Sequence, residues 1–274
     1  MHYGFISPNF GYCGDPRVLV DLAREAEDAG WDGFFVWDHI QFFSVEPNAD
    51  PWVAMAAMAT ATERIRLGPM VTPLPRRRVA KLARETTTLD RLSGGRLVLG
   101  VGLGAPDLPE FTGFGDEADL KTRGAMLDEG LEVLTALWSG APVEHVGAHY
   151  RARTRGFGPP AQRPRIPVWV AASWPAKKPL RRAARYDGVV PIARNAMEGG
   201  VLSPDEVREL RRYVLAHRTV STPFDVVQLG CSKDAGDTAA VGACMEAGAT
   251  WWLDYVMPPL EGTRERLRKG PPRV

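Results

Sequence analysis

Asp38-His39 follows the apolar run Phe34-Phe35-Val36-Trp37 and is the place in this chain where acid–base chemistry is easiest to write. An imidazole donates or accepts a proton at neutral pH, and of the five histidines only His39 falls at the end of an expected strand. Asp38 could orient that ring only where the backbone bends, because adjacent side chains of a strand face opposite ways. The structural alternative is a His39 that fills space at a strand end. Other chemistries are poorly supplied. The first strand carries no His-x-His pair, so a metal centre of several His and Asp ligands is hard to assemble. No lysine lies inside an expected strand, and Lys233 falls just past one, which disfavours a Schiff base. What remains, a histidine beside glycine-rich and apolar segments, suits a flat apolar cofactor that carries the hard chemistry itself.

The elements that must position these residues alternate throughout. Tyr3 to Ser7 reads as a short buried strand. Asp15-Pro16 then supplies an N-cap and a first-turn proline, and Val18, Leu22, Ala23, Ala26 and Ala29 recur at helical spacing up to Gly30. Strand two is Phe34 to Trp37, and Asp50-Pro51 opens the second helix. Ile65 to Val71 is the third strand, Arg76 to Leu92 the third helix, Leu97 to Leu99 the fourth strand and Leu120 to Trp138 the fourth helix. Between that helix and strand five lies an irregular insertion, Gly140 to Pro167, in which Val143 to Val146 and His149-Tyr150 could pair as a hairpin. Strands follow at Val168 to Ala171, Gly188 to Ile192, Phe224 to Leu229 and Thr250 to Tyr255, with helices after each; Ser203-Pro204-Asp205-Glu206 is a capping box. Eight strand–helix units in strict alternation imply parallel strands with right-handed crossovers, closed as a (β/α)₈ barrel over residues 1–274 as one domain. An open doubly wound sheet is the rival, but no Gly-x-Gly-x-x-Gly opens a helix after the first strand.

In that architecture function sits at the C-terminal strand ends. These are Ser7 to Phe10, Asp38-His39, Pro69 to Pro73, Val101 to Gly104, Ala172 to Trp174, Pro191-Ile192, Gly230 to Lys233 and Met257-Pro258. Trp37, Phe42, Phe43, Phe111, Phe114, Trp174 and Trp252 could wall a dry pocket or serve as core.

The bulk composition narrows the partners. With 34 basic and 33 acidic side chains the formal charge is +1, so no field draws nucleic acid or an anionic membrane, and a small molecule is the expected partner. Cys13, Cys231 and Cys244 form no disulfide framework and no Cys-x-x-Cys. The chain opens without a basic, apolar leader, and its longest apolar stretch is far short of the roughly 20 residues of a membrane helix. A reducing cytoplasm is the expected setting.

Several blocks, taken in order, carry a resemblance. Ala26 to His39, Thr62-Glu63-Arg64-Ile65-Arg66-Leu67-Gly68, Leu89-Asp90-Arg91-Leu92-Ser93-Gly94-Gly95-Arg96 to Gly102, Arg123-Gly124 through Trp138-Ser139-Gly140, and Arg163 to Ala171 together resemble the bacterial-luciferase-like family of flavin-dependent oxidoreductases over almost the full chain. The resemblance implies FMN, or alternatively the deazaflavin coenzyme F420, across the barrel mouth, with His39 as acid–base and Asp38 beside it. It implies a non-proline cis peptide near Met70-Val71. It also implies cofactor contacts from Met70, Val71, Thr72, Gly102, Leu103 and Gly104, although the glycines equally suit ordinary tight turns. The phosphate is expected near Ala171, Ala172, Ser173 and Trp174, with Lys177 and Lys178 just beyond; a solvated lysine pair is the alternative. Arg76-Arg77-Arg78 reads as an exposed helix start, with phosphate contact as the alternative because it lies near the mouth.

One departure matters. Family members that dehydrogenate sugar phosphates with F420 carry a glutamate straight after the strand-four glycine, where this chain has Ala105; Asp107 and Glu110 lie nearby but would have to move into place. Relatives often pair through helices two and three, so a homodimer is implied, with Ala54, Met55, Ala57 and Met58 either at that contact or packed on the barrel's own strands. A monooxygenase reaction would add a separate flavin reductase as partner. The rival to an enzyme is a barrel that binds a flavin or other small ligand without turnover.

Overall fold

The computed structural model of the protein describes residues 1–41, 46–105, 109–255 and 259–274, apart from the side chain of residue 197. Phe42, Phe43, Asp107 and Met257-Pro258, singled out from the sequence, lie outside the described residues. The described chain runs β1 (His2–Ser7), α1 (Pro16–Asp28), β2 (Gly33–Val36), α2 (Pro51–Ala61), β3 (Arg66–Pro69), β4 (Thr72–Pro73), α3 (Val79–Leu92), β5 (Leu99–Gly102), α4 (Leu120–Trp138), β6 (Val143–Val146), β7 (Arg151–Thr154), β8 (Val168–Ser173), α5 (Lys177–Ala183), β9 (Gly188–Ile192), α6 (Pro204–Ala216), β10 (Asp225–Gly230), α7 (Ala239–Glu246), β11 (Trp251–Tyr255) and α8 (Leu260–Arg268).

Apart from the β6–β7 hairpin, every strand pair is parallel, in the order β3-β2-β1-β11-β10-β9-β8-β5-β4. The ends of that sheet meet. β3 and β4 are two halves of one barrel strand, β3 pairing with β2 and β4 with β5. A bridge between Leu67 and Leu97 closes the seam, with the Leu67 amide 3.1 Å from the Arg96 carbonyl and the Val98 amide 2.8 Å from the Leu67 carbonyl. The fold is therefore a (β/α)₈ barrel. The third strand, expected to be continuous from Ile65 to Val71, is interrupted at Met70-Val71, whose peptide is cis.

The local reasons for these elements are visible at their starts. Asp50 accepts the amides of Trp52 and Val53 ahead of Pro51, and Ser203 and Glu206 cap α6 reciprocally. Two apolar layers result. Phe34, Leu67, Leu99 and Val170 face the helices, while Phe35, Val98, Trp169, Val190, Val227, Trp251 and Leu253 fill the barrel interior, as strand alternation requires. Ala54, Met55 and Met58 are fully buried in the helix-side layer, leaving Ala57 as the exposed member of that set. That face of α2 thus packs on the chain's own core.

Two elements differ from expectation. The hairpin pairs β6 with Arg151–Thr154, not with His149-Tyr150. Those two residues lie in the turn, where their amides and the His145 ring converge on the Glu129 carboxylate. The third helix begins at Val79, because Leu74–Arg76 forms a 3₁₀ turn. No helix among the described residues is long and apolar enough to cross a membrane.

Candidate active site

Side chains from five barrel strands form an apolar shelf at the C-terminal mouth. Trp37 beyond β2, Val71 between β3 and β4, Ile192 of β9, Leu229 of β10 and Tyr255 of β11 are half-buried and pack on the interior layer. Trp37 stacks on Tyr255 with ring centroids 5.5 Å apart. Phe10, beyond β1, tilts against Trp37 at 5.6 Å, and the His39 ring stands edge-on to Trp37 at 5.6 Å. Burial pushes the Tyr255 hydroxyl above the usual tyrosine value, and Cys231 adds to that, so it stays protonated at neutral pH.

Alternation beyond β2 separates the two polar residues of the sequence motif. His39 faces the shelf with Trp37, whereas Asp38 turns toward Thr72 and the turn before α3. Asp38 accepts the Thr72 hydroxyl at 2.7 Å and takes Nη2 of Arg76 and of Arg77 on its other oxygen, at 3.0 and 2.5 Å. It makes no described contact with the His39 ring, so its expected role of orienting that ring is corrected: Asp38 anchors the backbone on which His39 sits. Arg76 and Arg77 are corrected with it. The 3₁₀ turn folds both guanidinium groups back onto Asp38, and of the three arginines Arg78 is the exposed one.

The carboxylate that does meet His39 is Glu110. Its Oε2 lies 2.9 Å from Nδ1 of His39 and 3.2 Å from Nη1 of Arg76, and its side chain is fully buried. Asn9 supports the same segment, its Nδ2 donating to the His39 carbonyl at 2.9 Å and to the Ala49 carbonyl at 2.9 Å. Neither Glu110 nor Asn9 belongs to a periodic run that would mark it from sequence. The nearest signal for Glu110 is its place in the loop that follows β5.

The expected cofactor contacts divide. A Cβ on Gly102 would lie 2.8 Å from Val71 Cγ2 and 3.3 Å from Ala171 Cβ, so these three residues meet at the mouth. Leu103 is half-buried beside them and Ser173 is exposed at the rim, while Met70 lies beneath the shelf and Ala172 is buried. Thr72 is fully buried under Asp38. Gly104 has φ +83° and lies under the Phe111 ring, the tight-turn role. Trp174 is buried, its indole N–H 3.2 Å from Glu206, and the Lys177 ammonium sits over the rings of Tyr213 and Trp174. Lys177 is thus engaged against α6. Of the other aromatics considered as walls, Phe111 lies against the Arg123 guanidinium and Trp252 donates to Asp254; both are core. A separate cavity of about 530 Å³ lies outside the barrel, lined by Arg78, Val133, Tyr150 and Phe157 among others.

Eight parallel strands closed into a barrel, with a histidine–carboxylate pair above an aromatic shelf at their C-terminal ends, define a (β/α)₈ protein whose polar site lies at the mouth. The chain belongs to the luciferase-like monooxygenase family, whose sequence profile matches residues 1–240. It is 36% identical over 177 residues to the F420-dependent glucose-6-phosphate dehydrogenase of Nocardia farcinica, a match covering 63% of this chain and 51% of that one. The chain therefore spans about half the length of the curated relatives it matches. Among solved structures, the F420-dependent tetrahydromethanopterin reductase of Methanopyrus kandleri superposes with a TM-score of 0.75 at 17% identity, covering 98% of both chains. A monooxygenase from Streptomyces bottropensis superposes at 0.73 and 20% identity, covering 98% of this chain and 97% of that one. At such identities the likeness concerns the fold.

Proposed function

We infer that this chain is an oxidoreductase that uses coenzyme F420, with FMN as the second candidate, to oxidise or reduce a small organic molecule at the barrel mouth. The observation that carries the reading is His39 standing edge-on to Trp37, one member of a shelf drawn from five strand ends. F420 takes precedence over FMN because the curated relative that shares 36% identity with this chain is F420-dependent.

The residues fit a flat ring system. Trp37, Val71, Ile192, Leu229 and Tyr255 would hold it by apolar contact, and the missing side chain of Gly102 leaves room beside Val71 and Ala171. Leu103 and Ser173 would touch it from the rim. When bound, the cofactor supplies hydride-transfer chemistry. The protein's own groups do the rest: the shelf excludes water from one face, and His39 exchanges a proton with the substrate. Asp38, Thr72, Arg76 and Arg77 hold the backbone that carries His39. Ala105 stands where the sugar-phosphate dehydrogenases of the family carry a glutamate, so the reading is oxidoreduction of a substrate other than a sugar phosphate.

The test is titration of purified protein with F420 and, in parallel, FMN, followed by absorbance and fluorescence. F420 is expected to bind with Kd below about 10 μM and more tightly than FMN. If neither binds better than about 100 μM, roughly 5.5 kcal/mol, the reading fails. His39→Ala is expected to keep F420 affinity and lose turnover by about 10²-fold or more.

A further inference from the structure

We propose that Glu110 is the positioning carboxylate of this site, holding His39 in the tautomer that carries its hydrogen on Nδ1, so that the proton exchanged by the ring passes through Nε2. The proposal rests on the reading of His39 as the proton-exchanging group.

Glu110 comes from a segment outside the barrel strands and helices, between β5 and α4, yet its carboxylate is buried and gathers two backbone amides, a ring nitrogen and the charge of a guanidinium. Oε1 accepts the backbone amides of Ile40 at 2.5 Å and Gln41 at 3.2 Å. Oε2 faces Nδ1 of His39 at 2.9 Å and Nη1 of Arg76 at 3.2 Å. The two amides can only donate, the guanidinium is charged at any ordinary pH, and an ionised carboxylate is only an acceptor. Burial pushes the Glu110 carboxyl up. The hydrogen bond and charge of His39, the charge of Arg76 and the Gln41 amide outweigh that and hold it below the usual glutamate value. A carboxylate with no hydrogen of its own cannot donate to the ring, so a 2.9 Å contact at Nδ1 requires that Nδ1 carry the hydrogen. The lone pair of the neutral ring is then on Nε2, which takes the proton while Nδ1 keeps its own.

The neighbouring acid cannot do this. Both oxygens of Asp38 are taken by Thr72, Arg76 and Arg77. The carboxylate of this site comes from the loop after β5 and acts through His39. Its two oxygens also separate its two roles, Oε1 holding the loop amides and Oε2 holding the ring.

Glu110→Gln tests the second role while sparing the first. Its carbonyl oxygen can keep the two amides, which can only donate, and its NH₂ group then faces the ring, which must accept at Nδ1. Long-range proton–nitrogen NMR on histidine-labelled, cofactor-free protein at alkaline pH reads the tautomer of each of the five histidines, His39 being assigned by its loss in His39→Gln. The wild type is expected to show His39 with hydrogen on Nδ1, and Glu110→Gln to switch it to Nε2. Hydrogen on Nε2 in the wild type overturns the proposal without need of any variant, and an unchanged tautomer in folded Glu110→Gln overturns it as well. With F420 and a substrate, Glu110→Gln is expected to lose about 100-fold or more in kcat with KM within about threefold, and Glu110→Asp to recover part of the loss. A kcat within threefold of wild type in a variant whose tautomer has switched removes Nε2 from the reaction. The Nδ1 tautomer in a protein that fails to bind F420 supports the role of Glu110 and removes the functional reading; F420 binding with the Nε2 tautomer does the reverse.

Discussion

Arg76 folds back over Asp38 so that one guanidinium nitrogen, Nη2, lies 2.5 Å from the backbone carbonyl oxygen and 3.0 Å from a carboxylate oxygen of that residue. The Arg76 side chain is 1% exposed and that of Asp38 equally so. Removing the carboxylate leaves a buried cation without this partner, a situation that costs about 3–5 kcal/mol when one member of a buried pair is deleted. Asp38→Ala is expected to fall in that range by urea unfolding. Asp38→Asn keeps an acceptor for Thr72 and should cost less, about 1–3 kcal/mol. A cost under about 1 kcal/mol for Asp38→Ala would mean that water solvates the arginine once the carboxylate is gone.

How much of this is legible without coordinates depends on the kind of signal. Phe34 to Trp37 and Val168 to Ala171 are unbroken apolar runs between helical periods, and Asp15-Pro16, Asp50-Pro51 and Ser203 to Glu206 mark helix starts by their own chemistry, so the barrel can be read directly. The break at Met70-Val71 has no signal of its own, because Pro69 to Pro73 carries no period; the resemblance alone places a cis peptide there, where the structure has it. The β7 register is hidden for a different reason: Arg151 and Arg153 alternate with small Ala152 and Thr154, and small residues make a faint inward face. In the site, His39 is marked by its place at a strand end. Glu110 is separated from it by 71 positions, and nothing local to that loop says where its carboxylate will go. Arg76 and Arg77 read as an exposed helix start because only the tertiary fold supplies the carboxylate that buries them.

Glu110 also makes a pH prediction whose sign follows from its held-down carboxyl. A group whose value is lower in the folded than in the unfolded chain stabilises the fold above the unfolded value, and that contribution is lost as pH falls through the folded one. The stability gap between wild type and Glu110→Gln should therefore be widest near neutrality and close on acidification. Asp128 contributes with the same sign: burial pushes it up, but the hydrogen bond and charge of Arg182, with Arg185 and Lys178, bring it below the usual aspartate value. Urea midpoints between about pH 7 and pH 3, spanning the carboxylate range, would read both effects. A gap that stays constant down to about pH 3 contradicts the assignment.

Trp37 links the shelf to the histidine, since it stacks on Tyr255 and meets the edge of His39. If the shelf holds a flat cofactor, Trp37→Ala removes an aromatic face whose contacts are worth about 0.5–1.5 kcal/mol beyond simple burial. F420 affinity is then expected to fall about tenfold, whereas Trp37→Phe should stay within about threefold of wild type. Fluorescence titration gives both numbers. Equal affinity for all three proteins would move the ligand off this shelf.

The barrel seam makes the last prediction, because it closes only where two side chains are missing. A Cβ at Gly68 would sit 2.0 Å from the Val98 carbonyl oxygen, and one at Gly100 would sit 2.3 Å from the Pro69 carbonyl oxygen. Both obstacles are backbone atoms at a seam already fixed by the Leu67 hydrogen bonds, so no side chain can swing aside and β3 must part from β5. Gly68→Ala and Gly100→Ala are each expected to cost at least the about 1–3 kcal/mol typical of an overpacked interior. Gly242→Ala on α7 is the control, since its Cβ would meet nothing nearer than Val274 at 3.7 Å. Alanine is the better helix former by about 1 kcal/mol, so that variant should melt at or above the wild-type temperature. The seam also leads straight into Met70-Val71, and Val71 belongs to the shelf. A Gly100→Ala protein that melts like wild type but binds F420 more weakly would therefore show a seam that opens at little cost to stability, with the damage carried to the mouth through Val71.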